Sequence, residues 1–276
     1  MTPHHRSRAL PLAALSALLL LCTSCASKSG PTPSRTLDRI TETGEIRVGT
    51  SGEQPPLSMT ARNGELLGLD IALARVLARS MGVEARFVKL PFSQLLDALL
   101  AGDVDLVMSG MTITPQRSRR ATFVGPYYTS GKSLLTKSER VAAIEIPQDL
   151  DAPELRLAAL AGSTSEAFLR SSAPRAQLVF TESLEEAVRK VRNDEVDALV
   201  ADRETCSFAV LRRPDAGLIA PENVFSLEPM GIALPPDDAR LAGLIQAYLD
   251  ALREGGALEK ATRIWFKDPS WVKQLR

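Results

Sequence analysis

The stretch Val104-Asp105-Leu106-Val107-Met108-Ser109-Gly110-Met111-Thr112-Ile113-Thr114-Pro115-Gln116-Arg117 decides how the rest of the chain is read. Its first five residues form a short apolar run suited to a buried strand. Ser109, Gly110 and Thr112 follow directly, small and polar, where a parallel strand would empty into a crevice. Open α/β sheets bind ligands at that carboxyl edge. Pro115 suits the first position of a helix, and Arg117 follows two residues later. A glycine backbone, two hydroxyls and one guanidinium make a receptor for a small anionic group, most simply a carboxylate held by a two-pronged fork. A turn carrying a surface arginine accounts for the same residues, and both readings stand at this point.

Working upstream, Glu45-Ile46-Arg47-Val48-Gly49 predicts a first strand, followed by a loop through Ser51, Gly52, Glu53, Gln54 and two prolines. Asn63-Gly64 marks a turn. From Gly68, residues Leu69, Ile71, Leu73, Val76, Leu77 and Met81 lay an apolar stripe along a helix that Gly82 closes. Residues 85–90 predict a second strand, and Ser93 the cap of a helix through Leu100. With 104–108 as the third strand, the order is that of a parallel sheet with crossover helices.

Downstream, residues 127–137 run extended without a helix of their own, and the alternation restarts after Pro147. Strands are predicted at 155–160, 176–180 and 196–201, the last ending in Asp202. Between them, Gly162-Ser163-Thr164-Ser165-Glu166 has the make-up of a helix N-terminus. A helix over 183–192 carries Leu184, Ala187, Val188 and Val191 on one face, with Ser183 and Glu186 at capping-box spacing. The second half therefore echoes the first. The chain is extended again near 230–234, then Leu241, Leu244, Ile245, Tyr248, Leu249 and Leu252 mark a helix that Gly255-Gly256 ends. Trp265, Phe266 and Trp271 predict an apolar latch for the last segment. Two extended crossings, near 133 and 231, predict two lobes with a hinge, and clefts between domains are favoured ligand sites.

The totals narrow the function classes. Lys plus Arg and Asp plus Glu are 33 each, so no basic field invites nucleic acid. Aromatics are 5% of residues, too few for a ring-lined sugar groove or base-stacking platforms. The two histidines are His4 and His5, which excludes a histidine dyad in the folded part. Cys22, Cys25 and Cys206 give neither a disulfide framework nor a zinc spacing, and no metal or cofactor is expected. His4, His5, Arg6 and Arg8 precede a Leu- and Ala-rich stretch over 9–21, too short to span a bilayer comfortably but suited to an export signal. Residues 26–36, rich in Ser, Pro, Lys and Gly, read as a flexible tether.

Several runs together carry a family resemblance. They are Ile46-Arg47-Val48-Gly49-Thr50, Gly68-Leu69-Asp70-Ile71, residues 109–117, Gly125-Pro126-Tyr127-Tyr128, Gly162-Ser163-Thr164, residues 197–202, Glu228-Pro229-Met230-Gly231-Ile232 and Trp265-Phe266. In that order, over nearly the whole chain after the tether, they resemble the polar amino acid-binding branch, family 3, of the bacterial extracellular solute-binding proteins. These are the soluble receptors of ABC importers. The resemblance implies a two-lobed type II periplasmic-binding-protein fold, each lobe a mostly parallel sheet flanked by helices. Lobe 1 is expected over 37–132 and 232–276, and lobe 2 over 133–231. It also implies a monomeric, non-enzymatic receptor that delivers its ligand to an ABC transporter permease from the periplasm or cell envelope. Thr23 and Ser24 before Cys25 resemble the lipobox, which implies a leader over 1–25, lipidation at Cys25 and a membrane link through that anchor alone. Cys22 stands where the lipobox usually has leucine.

For the site, the resemblance implies that Arg117 grips the ligand's α-carboxylate with help from Ser109, Gly110 and Thr112. Ser163 and Thr164 would present backbone N–H groups from the second lobe. Asp202 would accept the α-ammonium group, and Phe92 would lie against the ligand's side chain. Gln54 stands where many members carry an aromatic ring, Leu57 where phenylalanine is common, and Ala72 where an acid is common. Exported cyclohexadienyl dehydratases resemble the same family and are the alternative reading. Their acid is expected three residues beyond the aspartate, where Thr205 stands, with Glu204 beside it. Plainer roles remain for Asp202 as a helix cap, Phe92 and Met111 as core, and Glu53 as an exposed loop carboxylate.

Overall fold

The structure, a computed structural model, describes residues 1–2, 33–268 and 270–272. The expected signal peptide, its lipidation site Cys25 and most of the tether lie outside the described residues. The chain divides into the units Met1–Pro33 and Ser34–Arg276, and the fold belongs to the second. Its first helix, α1 (Arg35–Thr43), takes in two residues that the composition assigned to the tether. Ser34 caps it, accepting from Leu37 N and donating to Asp238 Oδ2 at 2.7 Å.

Strand β1 (Glu45–Thr50) anchors the first sheet. After it, three strands of two or three residues, β2 (Glu53–Gln54), β3 (Ser58–Thr60) and β4 (Leu66–Leu67), form a small antiparallel sheet where a loop was expected. Strands that short offer no alternation to read. Helix α2 (Leu69–Ser80) buries Leu69, Ile71, Leu73 and Leu77 of the predicted stripe, with Val76 half-buried and Met81 just past its end. It leads to β5 (Glu84–Lys89). Ser93 lies within a 3-10 turn, Phe92–Gln94, rather than capping α3 (Leu95–Ala101). Of the predicted run 104–108, only β6 (Leu106–Val107) pairs as a strand, although Met108 N still donates to Gly49 O at 3.0 Å. The four-residue α4 (Pro115–Ser118) then precedes β7 (Thr122–Ser130).

The second half adds β8 (Lys132–Thr136), α5 (Glu139–Ala142), β9 (Arg156–Leu160), α6 (Thr164–Ser172), β10 (Gln177–Thr181), α7 (Leu184–Arg192), β11 (Ala198–Asp202) and α8 (Arg203–Arg212). It closes with β12 (Glu228–Leu234), α9 (Ala239–Glu254) and α10 (Ala257–Lys267). The first sheet runs β5-β1-β6-β12-β7 and the second β10-β9-β11-β8. In each, the strands joined by helices are parallel, and the strands next to the crossings, β7, β8 and β12, pair antiparallel. The sheets are therefore mixed α/β layers.

The chain changes sheet at Gly131, between β7 and β8. It returns before Glu228, because all of β12 pairs within the first sheet. Residues 228–231, expected in lobe 2, thus lie in the first sheet, and Lys132, expected in lobe 1, opens the second. The two crossings touch: a Cβ at Gly131 would lie 2.4 Å from Ser226 O, so only glycine lets the backbones approach this closely.

One buried core, including Ile46, Leu73, Leu106, Ile232 and Ile245, fills the first lobe; another, including Leu134, Leu157, Leu169 and Val200, fills the second. A third cluster combines Phe92, Leu95 and Val107 with Leu160, Leu184 and Ala187, so apolar contact joins the two lobes. Trp271 stacks on Phe208 at 5.5 Å and tilts against Trp265 at 5.3 Å, pinning the last described segment to α8.

Candidate functional site

Arg117 sits on α4, whose first turn is fixed by Thr114: its side chain accepts from Arg117 N at 3.2 Å, and Pro115 takes the first helical position. The guanidinium then reaches in two directions. Nη1 donates to Thr112 O at 3.0 Å within the first lobe, and Nη2 donates to Gly162 O at 3.1 Å in the second. Its Cζ lies 5.6 Å from the Phe92 ring centroid. Among the described residues it has no carboxylate partner within ion-pair distance. Burial holds its pKa below the usual arginine value, against the upward pull of Glu228 and Asp202.

Opposite it lies a charged cluster of which the sequence reading assigned only Asp202. Lys132 opens β8, Asp202 closes β11, and the antiparallel register places them directly across from each other. Lys132 Nζ meets Asp202 Oδ1 at 2.6 Å and Glu228 Oε2 at 3.4 Å, with the lysine side chain 2% exposed. Glu228 also accepts from Thr164 Oγ1 at 2.9 Å and Ser226 Oγ at 2.8 Å. Burial raises the Asp202 pKa, and the neighbouring lysine only partly offsets it. Burial works on Glu228 in the same sense, but there Lys132 and the Ser226 and Thr164 hydroxyls outweigh it and the pKa falls.

Between these groups is a cavity of about 20 Å³, room for roughly one water. Gln54, Phe92, Gly110, Thr112, Ser163, Thr164 and Asp202 line it, together with Lys132, Ser165 and Thr205. Arg117 lines an adjoining groove of about 620 Å³ that shares Phe92, Ser163 and Thr164 with it. The hydroxyls of Thr112 and Thr164, one from each lobe, lie 3.4 Å apart. Of the predicted residues, Gln54, Phe92, Gly110, Thr112, Ser163, Thr164 and Asp202 line the cavity and Arg117 the adjoining groove, while three are bonded otherwise than the resemblance implied. Ser109 is fully buried and away from the cavity, donating to Ser51 Oγ and accepting from Ser51 N, both at 3.0 Å. Gly110 N–H donates to Asp70 Oδ2 at 2.7 Å instead of facing a ligand. Ser163 N–H is taken by Leu160 O at 3.3 Å, while its hydroxyl caps α6 by accepting from Glu166 N. Among the described residues, the first-turn N–H groups of α6 without an acceptor are those of Thr164 and Ser165.

Asp70 was missed as a site residue because it lies on a helix one layer behind. Burial pushes its carboxyl up to about 6, against the lowering effect of Tyr127 and the Gly110 N–H. Glu204 accepts from Tyr128 OH at 2.7 Å and Arg203 Nη2 at 2.8 Å, and also from Ser130 Oγ, outside the cavity. Thr205, where a dehydratase acid was expected, lines the cavity and donates to Pro55 O at 3.1 Å.

This geometry sets the context for the likenesses to known proteins. The chain is 27% identical over 226 residues to the ABC transporter arginine-binding protein 1 of Escherichia coli strain K12, covering 80% of this chain and 90% of that one. It is 26% identical over 254 residues to the cyclohexadienyl dehydratase of Pseudomonas aeruginosa, covering 92% and 93%. Among solved structures it superposes on an ancestral amino acid-binding protein, a precursor of cyclohexadienyl dehydratase, with a TM-score of 0.78 at 33% identity, covering 84% of this chain and all of that one. The architecture is that of the type II periplasmic amino acid-binding proteins. Residues 46–268 match the family model, and the chain belongs to the bacterial extracellular solute-binding proteins, family 3.

Proposed function

We propose that this protein is the extracytoplasmic receptor of an ABC importer and captures a polar amino acid or related zwitterion between its lobes. The observation that carries this reading is Arg117, a half-buried guanidinium that spans the lobes using only carbonyl partners. A ligand α-carboxylate would replace those carbonyls with a charge-assisted fork. Thr112 and the α6 N–H groups would add donors from both sides, and Asp202 would take the α-ammonium group. Phe92 and Gln54 would meet the ligand's side chain. Hydrogen bonds to charged groups contribute about 1.5–3 kcal/mol each, so three or four reach the roughly 8 kcal/mol of a micromolar complex. Because the two lobes supply different parts of the site, ligand favours the closed form.

The same reading puts the chain in the periplasm or cell envelope, anchored through Cys25 and working as a monomer with a membrane permease. A dehydratase on this scaffold is the second reading. The long match to the Pseudomonas enzyme favours it, together with two carboxylates, Asp202 and Glu228, in or beside the cleft. A thermal-shift screen of the amino acids tests the first reading, since a ligand bound only by the native state raises Tm. At least one polar amino acid should shift the wild type, and Arg117→Ala should abolish the shift. Turnover of prephenate by the purified protein would decide for the second.

A further inference from the structure

The resident ion cluster constrains the ligand's side chain. Asp202 Oδ1 is bound by Lys132 at 2.6 Å, while its Oδ2 accepts no hydrogen bond among the described residues. Glu228 is committed to Lys132, Thr164 and Ser226. The cleft therefore holds two cations, Arg117 and Lys132, and two anions, Asp202 and Glu228. An α-carboxylate on Arg117 and an α-ammonium on Asp202 Oδ2 keep that set neutral, and no acid is left to meet a second positive charge. Glu53 lies outside the cavity, exposed at the start of β2, and faces Lys89 at 3.9 Å. Lining the cavity instead is Gln54, 5% exposed, whose side-chain amide makes no hydrogen bond among the described residues. A buried amide offers both a donor and an acceptor, the complement of another uncharged polar group.

We propose that Lys132 and Gln54 set the ligand class: a net-neutral amino acid with an amide or hydroxyl side chain, with Lys132 excluding cationic side chains. The inference rests on the receptor reading and narrows it. With Asp202 taken by the α-ammonium and Glu228 by Lys132, a second ammonium or guanidinium about 6 Å from Lys132 would meet no free counter-charge and lose about a hundredfold in affinity at the dielectric of a protein surface. A hydroxyl or amide loses nothing there and gains the Gln54 contact.

The test is calorimetric titration of the full chain with glutamine, asparagine, serine, threonine, arginine and lysine. At least one of the first four should bind about a hundredfold more tightly than either cationic amino acid. Lys132→Met should narrow that gap at least tenfold, and Gln54→Leu should weaken the uncharged ligand while leaving arginine unchanged. Arginine or lysine binding the wild type as tightly as the best uncharged ligand overturns the inference even if Lys132→Met fails to fold. A gap that persists undiminished in a folded Lys132→Met protein overturns the role of Lys132. If arginine binding is lost in Arg117→Ala but indifferent to Lys132→Met, the receptor reading survives and this inference does not. If none of the six binds, this inference falls, while the receptor reading is decided separately by the full amino acid screen.

Discussion

Lys132 and Asp202 face each other across the antiparallel pair β8–β11, and their side chains meet at 2.6 Å in the wall of the cleft. The pairing is set by strand register within one sheet, so it exists whether or not the other lobe is docked. What the other lobe adds is Glu228, 3.4 Å from the same ammonium. The hinge and the ligand site are thus built on shared charges, and a change at one is felt at the other.

Removing the lysine leaves two buried carboxylates facing each other without a counterion. Breaking a buried pair by deleting one partner costs about 3–5 kcal/mol. Lys132→Met is expected to lose about 3 kcal/mol in urea unfolding at pH 7, less at pH 5 as a carboxyl takes up a proton. A loss below about 1 kcal/mol at pH 7 would show that the cluster contributes little to the fold.

Asp70 makes a signed prediction. Its folded pKa of about 6 lies above the ordinary 3.8 because burial disfavours the charge. A carboxyl raised in the native state gives stability that is fully present below about pH 3.8 and is lost as pH rises through 6. The shift corresponds to about 3 kcal/mol. Asp70→Asn can still accept from Gly110 N–H, so its stability relative to wild type should improve from about pH 4 to about pH 6 and level off above that. A difference between the two proteins that is flat with pH contradicts this account of Asp70.

Gly131 leads to a third expectation. Its would-be Cβ lies 2.4 Å from a backbone oxygen of the second crossing, a neighbour that no rotamer change can move. Gly131→Ala should lower stability by about 2 kcal/mol and alter ligand affinity together with it. Gly243→Ala, on an open face of α9, meets nothing within 4 Å and should be neutral or stabilising. Thermal melts of the two variants side by side check this.

The enzymatic alternative has its own readout. With Thr205 where the acid was expected and Glu204 bound to Tyr128 and Arg203, no turnover of prephenate is expected from the wild type. Measurable turnover that disappears in Glu228→Gln would transfer the chain to the dehydratase reading.

How much of this was legible in the sequence follows from how local each signal is. Helices α2, α7 and α9 announced themselves because their apolar spacing repeats over 9–16 residues, and Ser183 caps α7 by accepting from Glu186 N as its spacing implied. The cleft residues Thr112, Thr164 and Asp202 were readable because each directly follows an apolar strand or opens a helix. Lys132 was not, because its partner lies 70 positions away and only strand register brings them together. Glu228 stands in a recognisable motif, but its chemistry depends on the same long-range pairing with Lys132. The partners of Ser109 and Gly110 were not legible, because their bonds go to Ser51 and Asp70, residues that sequence proximity does not connect. The β2–β4 sheet had no periodicity long enough to detect.

The most direct measurement is calorimetric titration of the best amino acid ligand into wild type, Arg117→Ala and Asp202→Asn. A carboxylate fork from one lobe and an acceptor from the other predict micromolar binding by the wild type and at least a hundredfold loss in each variant, with the fold intact by circular dichroism. Affinity unchanged in either folded variant would contradict recognition of a zwitterion across the closing lobes.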